Sequence, residues 1–336
     1  MTQIKMNLSP EYTIYVKSGS LSDAKKILGI KGKAIILTDS GVPKEYAEAV
    51  KTSVGNAKIV TFPSGEKTKS IKYFTILLEK MLEENLTRED SLIAVGGGVC
   101  GDLGGFAAAS YMRGISFYNI PTTLLSQLDS SVGGKTGINL SSTKNIIGAF
   151  YQPKGVLIDT DTLKTLPKRQ IKAGLAEAIK MALTSDDELF SDFEGGKFKD
   201  GNFDELITRA VTIKKNVVEL DEKESGLRRV LNFGHTLGHG IEASSRGKLF
   251  HGECVALGIL PMCSEDLRKR VISVYEKYGI KANYAYDLDA SLSYVKNDKK
   301  ARGDRVRAIF VDTPGEFYEK ELTFEEFGKH VKNNRG

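Results

Sequence analysis

The hydrophobic pattern of this 336-residue chain changes its period once, and that change limits the folds open to it. Before Pro167, apolar residues come in short runs at 34–37, 58–62, 91–95, 115–120 and 156–158, bounded by turn residues. Interleaved with helical patterns, such runs read as buried strands of βαβ units and predict a largely parallel sheet. Residues 3–8 and 12–16 alternate polar and apolar side chains around Ser9-Pro10, as a short hairpin would. After Pro167 the period becomes that of a helix, over 171–183, 203–220, 235–244 and 253–278, with little strand signal before 308–311. A chain of this length exceeds one ordinary core. The expected organisation is an α/β domain over residues 1–159 and a helical domain over 160–336.

Apolar residues make up 40% and charged residues 27%, the balance of a chain that buries a core. The net charge of +5 comes from 48 basic and 43 acidic residues scattered along the sequence. With no basic block to track a nucleic-acid backbone, the excess suits a small anionic substrate and no nucleic-acid partner is expected. Cys100, Cys254 and Cys263 have neither disulfide-like nor zinc-ribbon spacing, which points to a reducing compartment. Residues 1–10 are polar and no run of roughly eighteen apolar residues occurs, so the expectation is a cytoplasmic protein with no membrane partner.

The strand at 91–95 ends in Gly96-Gly97-Gly98 and is followed by small residues through Ser110. A strand feeding a glycine turn and then a helix presents unpaired N–H groups and a positive helix end to a pyrophosphate. Gly97 and Gly98 would let that phosphate approach the main chain, and the small residues behind them suit a helix lying close to a sheet. The segment GGGVCGD, residues 96–102, departs from the usual dinucleotide spacing, and a tight-packing turn would use the same glycines. Asp39 closes the first strand of the βαβ opening, where a carboxylate can accept from ribose hydroxyls or cap the next turn. Together with PSGEKTK, residues 63–69, these features indicate a nucleotide without naming a reaction.

Three of the four histidines, His235, His239 and His251, fall close together. His235 and His239 are four apart and share a helix face. Glu177, on the amphipathic segment AGLAEAIK at 173–180, is placed to complete a coordination sphere. An isolated buried histidine is an ordinary core residue, whereas a cluster with a carboxylate suits a divalent ion acting on substrate hydroxyls. Spacing leaves open which of the two helical histidines is a ligand. Cys254 is a fourth ligand by position and a small buried hydrophobe by habit.

Between strands and helices run YMRG (111–114), IPTTLLSQLDSSVGGKTGIN (120–139) and TKNIIGAFYQP (143–153), polar and glycine-punctuated. Such a stretch at a domain junction is where a small-molecule cleft is expected. Arg113, Lys135, Lys144 and Asn145 offer charge-assisted hydrogen bonds to a phosphate, and Lys214, Arg228 and Asn232 add more just before His235. The inventory predicts a substrate with two anionic ends.

The segments DSSVGGKTGIN, KNIIGAFYQP, AEAIK, LNFGHTLGHGIE and HGECVALG, in this order and over nearly the whole chain, resemble the 3-dehydroquinate synthase family of the shikimate pathway. The resemblance implies a Rossmann-like N-terminal domain that binds NAD, an all-α C-terminal domain, and a catalytic divalent metal, Zn or Co, in the cleft between them. It makes Glu177, His235 and His251 the metal ligands and moves His239 to the substrate site. Asp39, Glu66, Lys69, Gly98, Asp102, Thr122, Thr123, Thr162 and Thr165 fall on segments that contact NAD in the family. Lys135 and Lys144 belong to the shared junction of cofactor and substrate.

The implied reaction starts from 3-deoxy-D-arabino-heptulosonate 7-phosphate. Its carbon-5 hydroxyl is transiently oxidised by NAD, phosphate is eliminated, the ketone is reduced again, and the opened ring closes by an intramolecular aldol step, with no net redox change. By resemblance Asp129 and Lys180 contact the hydroxyls, and Lys214 and Arg228 hold the carboxylate. Lys135, Asn145, Asn232 and His239 grip the phosphate, with one of Lys299 and Lys300 and with Arg113 reaching from a second subunit, which implies a homodimer. Cys100 and Cys254 stand where relatives often carry an aliphatic residue or alanine, which argues against Cys254 as a ligand. Two enzymatic rivals are cyclases of the same scaffold that take sugar phosphates without a carboxylate, and a metal-dependent polyol dehydrogenase. A non-catalytic NAD-binding protein is the third.

Overall fold

The computed structural model describes residues 1–141, 143–224, 226–299 and 305–334, and the chain divides into two compact units, Met1–Pro167 and Lys168–Gly336. The first unit runs β1 (Thr2–Met6), β2 (Tyr12–Val16), α1 (Ala24–Leu28), β3 (Ala34–Asp39), α2 (Lys44–Val54), β4 (Ala57–Phe62), α3 (Ile71–Glu83), β5 (Ser91–Gly96), α4 (Gly98–Ser110), β6 (Ser116–Pro121), β7 (Lys135–Leu140), β8 (Thr143–Phe150) and β9 (Gly155–Ile158). Seven strands form one sheet in the order β1-β2-β9-β6-β5-β3-β4, parallel throughout except for the β1–β2 hairpin.

Central strands are buried on both faces, which is why they read as continuous apolar runs. Ile35, Leu37, Leu92 and Ala94 pack with α3 and α4 on one side, and Ala34, Ile36, Ile93 and Val95 pack with α1 and α2 on the other. The small residues of α4 have a direct cause: a Cβ on Gly104 would lie 3.0 Å from Leu92 Cδ2, and one on Gly105 would collide with Thr136. From β3 the chain moves outward to β4, and from β5 it moves the opposite way to β6. The ends of β3 and β5, at Asp39 and Gly96, therefore lie side by side at the topological switch point, where open α/β sheets hold their ligands.

A buried carboxylate ties the entry of β5 to that of β3. Asp90 accepts from the N–H groups of Lys33 and Thr87, each at 2.7 Å, and from the Thr87 hydroxyl at 2.9 Å. Burial works against its charge, but these donors outweigh it and hold the carboxyl below its ordinary 3.8. A carboxyl depressed in the folded state stabilises fully above its unfolded pKa, and the contribution is lost as pH falls through the folded value. Asp90→Asn should lower stability by about 1–2 kcal/mol at pH 7. Denaturant titrations should show the gap from wild type narrowing as pH falls below the ordinary carboxylate range; a gap that does not change with pH would reject the carboxylate as its source.

The polar stretch after β6 contains two strands. β7 and β8 form an antiparallel ribbon in which Gly137 and Gly148 sit opposite each other, with no room for a side chain at either place. Before β6, Met112 and Arg113 both adopt left-handed backbone angles, φ +50° and +67°, uncommon for residues with side chains.

The second unit comprises α5 (Lys168–Ser185), α6 (Asp187–Gly195), α7 (Asp204–Leu220), α8 (His235–Ser245), α9 (His251–Ile259), α10 (Glu265–Tyr278), α11 (Leu288–Lys299), β10 (Arg305–Phe310), β11 (Tyr318–Thr323) and α12 (Phe324–Asn334). Two sequence expectations are corrected here and a third is refined. The segment 253–278 is two helices, because Pro261 lies in the 3-10 turn Leu260–Met262 and cannot continue α9. The strand expected at 308–311 belongs to an antiparallel hairpin, β10–β11, so the unit is helix-rich with one small β element. The segment around Glu177 is not amphipathic in place: every residue of α5 from Ala173 to Thr184 is buried, against α6, α7 and α9 among others. Among the described residues no helix is long and apolar enough to cross a membrane.

Candidate functional site

Five side chains of the helical unit converge where α5, α8 and α9 meet. Glu177 and Lys180 lie one turn apart on α5, with Lys180 Nζ 2.6 Å from Glu177 Oε2 and both side chains at most 2% exposed. Glu177 Oε1 stands 3.3 Å from His251 Nε2 and 3.7 Å from His235 Nε2. His235 opens α8, His251 opens α9, and the exposed His239 follows one turn into α8. One ligand atom from each of the three rings lies within 4.8 Å of the others.

Glycine makes this convergence possible. A Cβ on Gly252 would be driven into the carbonyl oxygen of Ala173 in α5, and one on Gly258 into that of Gly234 just before α8. Gly238 is also against α9, its Cβ position 3.1 Å from the Cys254 carbonyl. With backbones this close, a carboxylate from α5 and imidazoles from α8 and α9 reach one point. The start of α9 is anchored as well. Glu253 accepts from the Phe250 N–H at 2.8 Å, from Arg169 through both oxygens at 2.7 Å, and from the Tyr284 hydroxyl at 2.8 Å.

Hydrogen bonds at the far side of each ring orient the histidines. His235 Nδ1 lies 3.1 Å from the Phe233 carbonyl and His251 Nδ1 lies 3.0 Å from Glu242 Oε2. With Nδ1 as donor, Nε2 of each ring is turned toward Glu177. Burial disfavours charge on Glu177, but Lys180, His235 and His251 outweigh it and hold its carboxyl well below the usual range. Burial, then Lys180, pushes His235 well below an ordinary histidine. Burial also opposes charge on His251, yet Glu177 and Glu242 on either side push it up to about 10.

These residues fit a divalent metal. Both carboxylate oxygens of Glu177 are buried; Oε2 is paired with the Lys180 ammonium at 2.6 Å, and Oε1 faces the two imidazoles. A buried carboxylate stays charged only with cationic partners, and a divalent ion between Oε1 and the two imidazoles would add one. Donors about 2.1 Å from one ion lie roughly 3.4 Å apart, close to the separations Glu177 makes with the two Nε2 atoms. Cys254 is fully buried, and among the described residues the three histidines cluster without it; Glu177 stands just outside that cluster and joins it through its contacts with His235 and His251.

The first unit gathers its own set of candidates. At the switch point Asp39 Oδ1 accepts from the Gly41 N–H at 2.8 Å, and Oδ2 accepts from the Cys100 thiol at 3.4 Å. Burial, then the nearby Asp39, keeps that thiol protonated by pushing it well above its usual value. Gly97 caps α4 and Gly98 begins it. Lys69 Nζ donates to Asp102 Oδ2 at 2.6 Å and to Asn145 Oδ1, and lies 3.9 Å from Glu66 Oε1. Glu66 in turn accepts from Asn139 Nδ2 at 2.8 Å, so the turn after β4, the helix α4 and the ribbon are stitched together.

Models of 3-dehydroquinate synthase, its N-terminal and C-terminal parts, match residues 59–173 and 174–301. This chain belongs to the 3-dehydroquinate synthase family. A 3-dehydroquinate synthase of Acetivibrio thermocellus is 41% identical to it over 331 residues, 92% of each chain. Two solved structures share its fold. A 2-deoxy-scyllo-inosose synthase complexed with carbaglucose-6-phosphate, NAD+ and Co2+ aligns with a TM-score of 0.88 at 24% identity, covering 99% of this chain and 100% of the other. A 2-epi-5-epi-valiolone synthase from Streptomyces hygroscopicus with NAD+ and Zn2+ bound aligns with a TM-score of 0.87 at 24% identity and 96% coverage of both.

Other positions that the 3-dehydroquinate synthase resemblance singles out are placed unevenly. The Thr122 N–H donates to the Gly96 carbonyl at 2.9 Å and Thr123 exchanges hydrogen bonds with Ser126, so both support the glycine turn. Thr162 is 1% exposed, and its hydroxyl is engaged by the Asp159 carbonyl and Gln127 Nε2, while the Thr165 hydroxyl bonds Tyr46 at 2.7 Å. Asp129 lies in the π-helical turn Ser126–Ser130, Lys135 opens β7, and Lys144 lies on β8. In the helical unit Lys214 on α7 is 6% exposed and Arg228 is 2% exposed, two cations withdrawn from solvent. Asn232 donates to Glu224 at 3.0 Å. Lys299 is the last residue of α11, and Lys300 lies outside the described residues. Glu242, Glu224 and Gln127 were not singled out from sequence. Only Glu242 carried a signal, seven residues after His235 and so on the same face of α8.

Proposed function

We propose that the chain converts 3-deoxy-D-arabino-heptulosonate 7-phosphate into 3-dehydroquinate and phosphate. The reading is carried by one observation: in the second unit a buried carboxylate, paired with an ammonium through one oxygen, faces two imidazole Nε2 atoms with the other. Resident NAD and a divalent metal, Zn or Co, would supply hydride transfer and Lewis-acid polarisation of the substrate hydroxyls. The NAD+ and Co2+ or Zn2+ named for the two solved cyclases support that pair of cofactors.

The resemblance to 3-dehydroquinate synthases supports the following roles for this chain's residues. Glu177, His235 and His251 hold the metal, and Lys180, paired with Glu177, presents an ammonium to the same hydroxyls, alongside Asp129. Lys214 and Arg228 neutralise the substrate carboxylate. Lys135, Asn145, Asn232 and His239 take the phosphate, with Lys299 and Arg113. Because the Asn145 side-chain oxygen already accepts from Lys69, its amide nitrogen is the end suited to an anion. Asp39, Gly97, Gly98, Asp102, Glu66, Lys69, Thr122 and Thr123 build the NAD site at the switch point, with Lys144 toward the substrate and with Thr162 and Thr165 as its supporting hydroxyls.

A homodimer is part of this reading. Met112, Leu140, Ile146 and Phe150, on the ribbon and the turn before β6, are 46%, 43%, 61% and 49% exposed, an apolar set suited to a second copy. The left-handed angles of Met112 and Arg113 support a functional reason for the way that turn presents Arg113. Three buried free thiols suit the cytoplasm.

The test is phosphate release from the heptulosonate phosphate with catalytic NAD+, before and after chelation. The expected outcome is release without accumulating NADH absorbance, at least about a hundredfold slower after chelation, and restored by Zn²⁺ or Co²⁺. Stoichiometric NADH would favour a polyol dehydrogenase, and preference for sedoheptulose 7-phosphate or glucose 6-phosphate would favour a cyclase of neutral-ended sugars. A monomer by sedimentation would remove the second copy.

A further inference from the structure

We infer that Glu242 is the positioning residue of the metal centre, selecting which nitrogen of His251 meets the ion. The inference rests on the reading of Glu177, His235 and His251 as ligands. An imidazole has two nitrogens, and a ring at the first position of a helix can turn either toward a metal unless something outside the coordination sphere holds one of them. For His251 that holder is a carboxylate: Glu242 Oε2 stands 3.0 Å from Nδ1 on the side of the ring away from Glu177.

The arrangement comes from one face of α8. His235 is at its first position, and Glu242 follows seven residues later, two turns on, so both project to the same side. One helix therefore supplies a ligand of its own and the group that orients the ligand contributed by α9. The backbone contact of Gly238 with Cys254 keeps the two helices close enough for a short carboxylate to span the gap.

The two histidines are held differently. His235 Nδ1 has a neutral carbonyl, that of Phe233, as its partner at 3.1 Å, whereas His251 has a full negative charge. A carboxylate on the remote nitrogen makes the imidazole a stronger donor to a cation and adds charge attraction. His251 is the more exposed ring, its side chain 30% exposed against 12% for His235, and so packing constrains it less. Its orientation depends on Glu242 to match.

The test uses full-length protein stripped of metal, with Co²⁺ and Zn²⁺ affinities measured by competition against a chromophoric chelator. Glu242→Ala should weaken both metals by about 10–100-fold. Glu242→Gln, which keeps an acceptor for Nδ1 but not the charge, should fall between Ala and wild type. The visible absorption of the Co²⁺ form should change in shape for Ala and return toward wild type for Gln. NAD affinity should stay unchanged, which separates loss of the ligand's orientation from general damage. Metal affinity and Co²⁺ spectrum unaltered in both variants would overturn the inference while leaving the ligand assignment intact. Failure of the unmutated protein to bind either metal would overturn the ligand assignment itself.

Discussion

Glu177→Gln is expected to abolish phosphate release, lowering turnover by about a thousandfold or more, since a catalytic metal contributes several kcal/mol to the transition state. A glutamine keeps the size of the side chain but offers a neutral oxygen to the cation. It also removes the partner of Lys180, whose ammonium is 2% exposed and 2.6 Å from the carboxylate. Breaking a buried pair by deleting one member costs about 3–5 kcal/mol, so the variant should also melt earlier. The double variant Glu177→Gln/Lys180→Met separates the effects, because a matched neutral pair should recover most of the lost stability. Metal affinity should remain poor in both, measured on the folded fraction. Wild-type turnover in the single variant would remove Glu177 from the metal centre.

Gly258→Ala should be among the most damaging of the small substitutions. Its methyl group would enter the space of the Gly234 carbonyl oxygen and approach the Gly238 nitrogen at 2.9 Å, so backbone meets backbone and no side chain can swing aside. Overpacking of this kind costs about 1–3 kcal/mol and occasionally more, and a rigid contact places it at the upper end. Since the same contact sets the spacing of α8 and α9, metal affinity should fall together with melting temperature. Gly195→Ala is the matched control, a helix-end glycine whose added Cβ would meet nothing within 4 Å. If Gly258→Ala melted with the wild type and bound metal normally, the close approach would not be what positions His235 and His251.

Much of the site was legible before any coordinates. The clustering of His235, His239 and His251, the acidic end of β3 and the glycine turn after β5 are local patterns, and local patterns survive in a one-dimensional string. The ribbon was not legible. Residues 135–140 and 143–150 are largely polar and glycine-punctuated, and they form strands because they pair with each other and with the turn holding Lys69, whose carbonyl accepts from the Asn139 N–H. α5 looked amphipathic because Glu177, Lys180 and Lys172 interrupt its apolar residues, whereas the fold buries two of these charges against one another. Asn145 was assigned from its residue type to a phosphate, and its bond to Lys69 shows which end of the amide is already committed.

What the sequence by itself determined was the period of each segment, the positions where glycine must stand, and the kinds of ligand available, because each is set by residues near one another along the chain. Only the tertiary structure decided that Glu177 faces the Nε2 atoms of His235 and His251, that Glu242 stands behind one ring and a carbonyl behind the other, and that Thr162 spends its hydroxyl inside the fold. Those outcomes depend on how closely separate helices and turns approach, and approach is fixed by backbone contact between elements far apart in sequence.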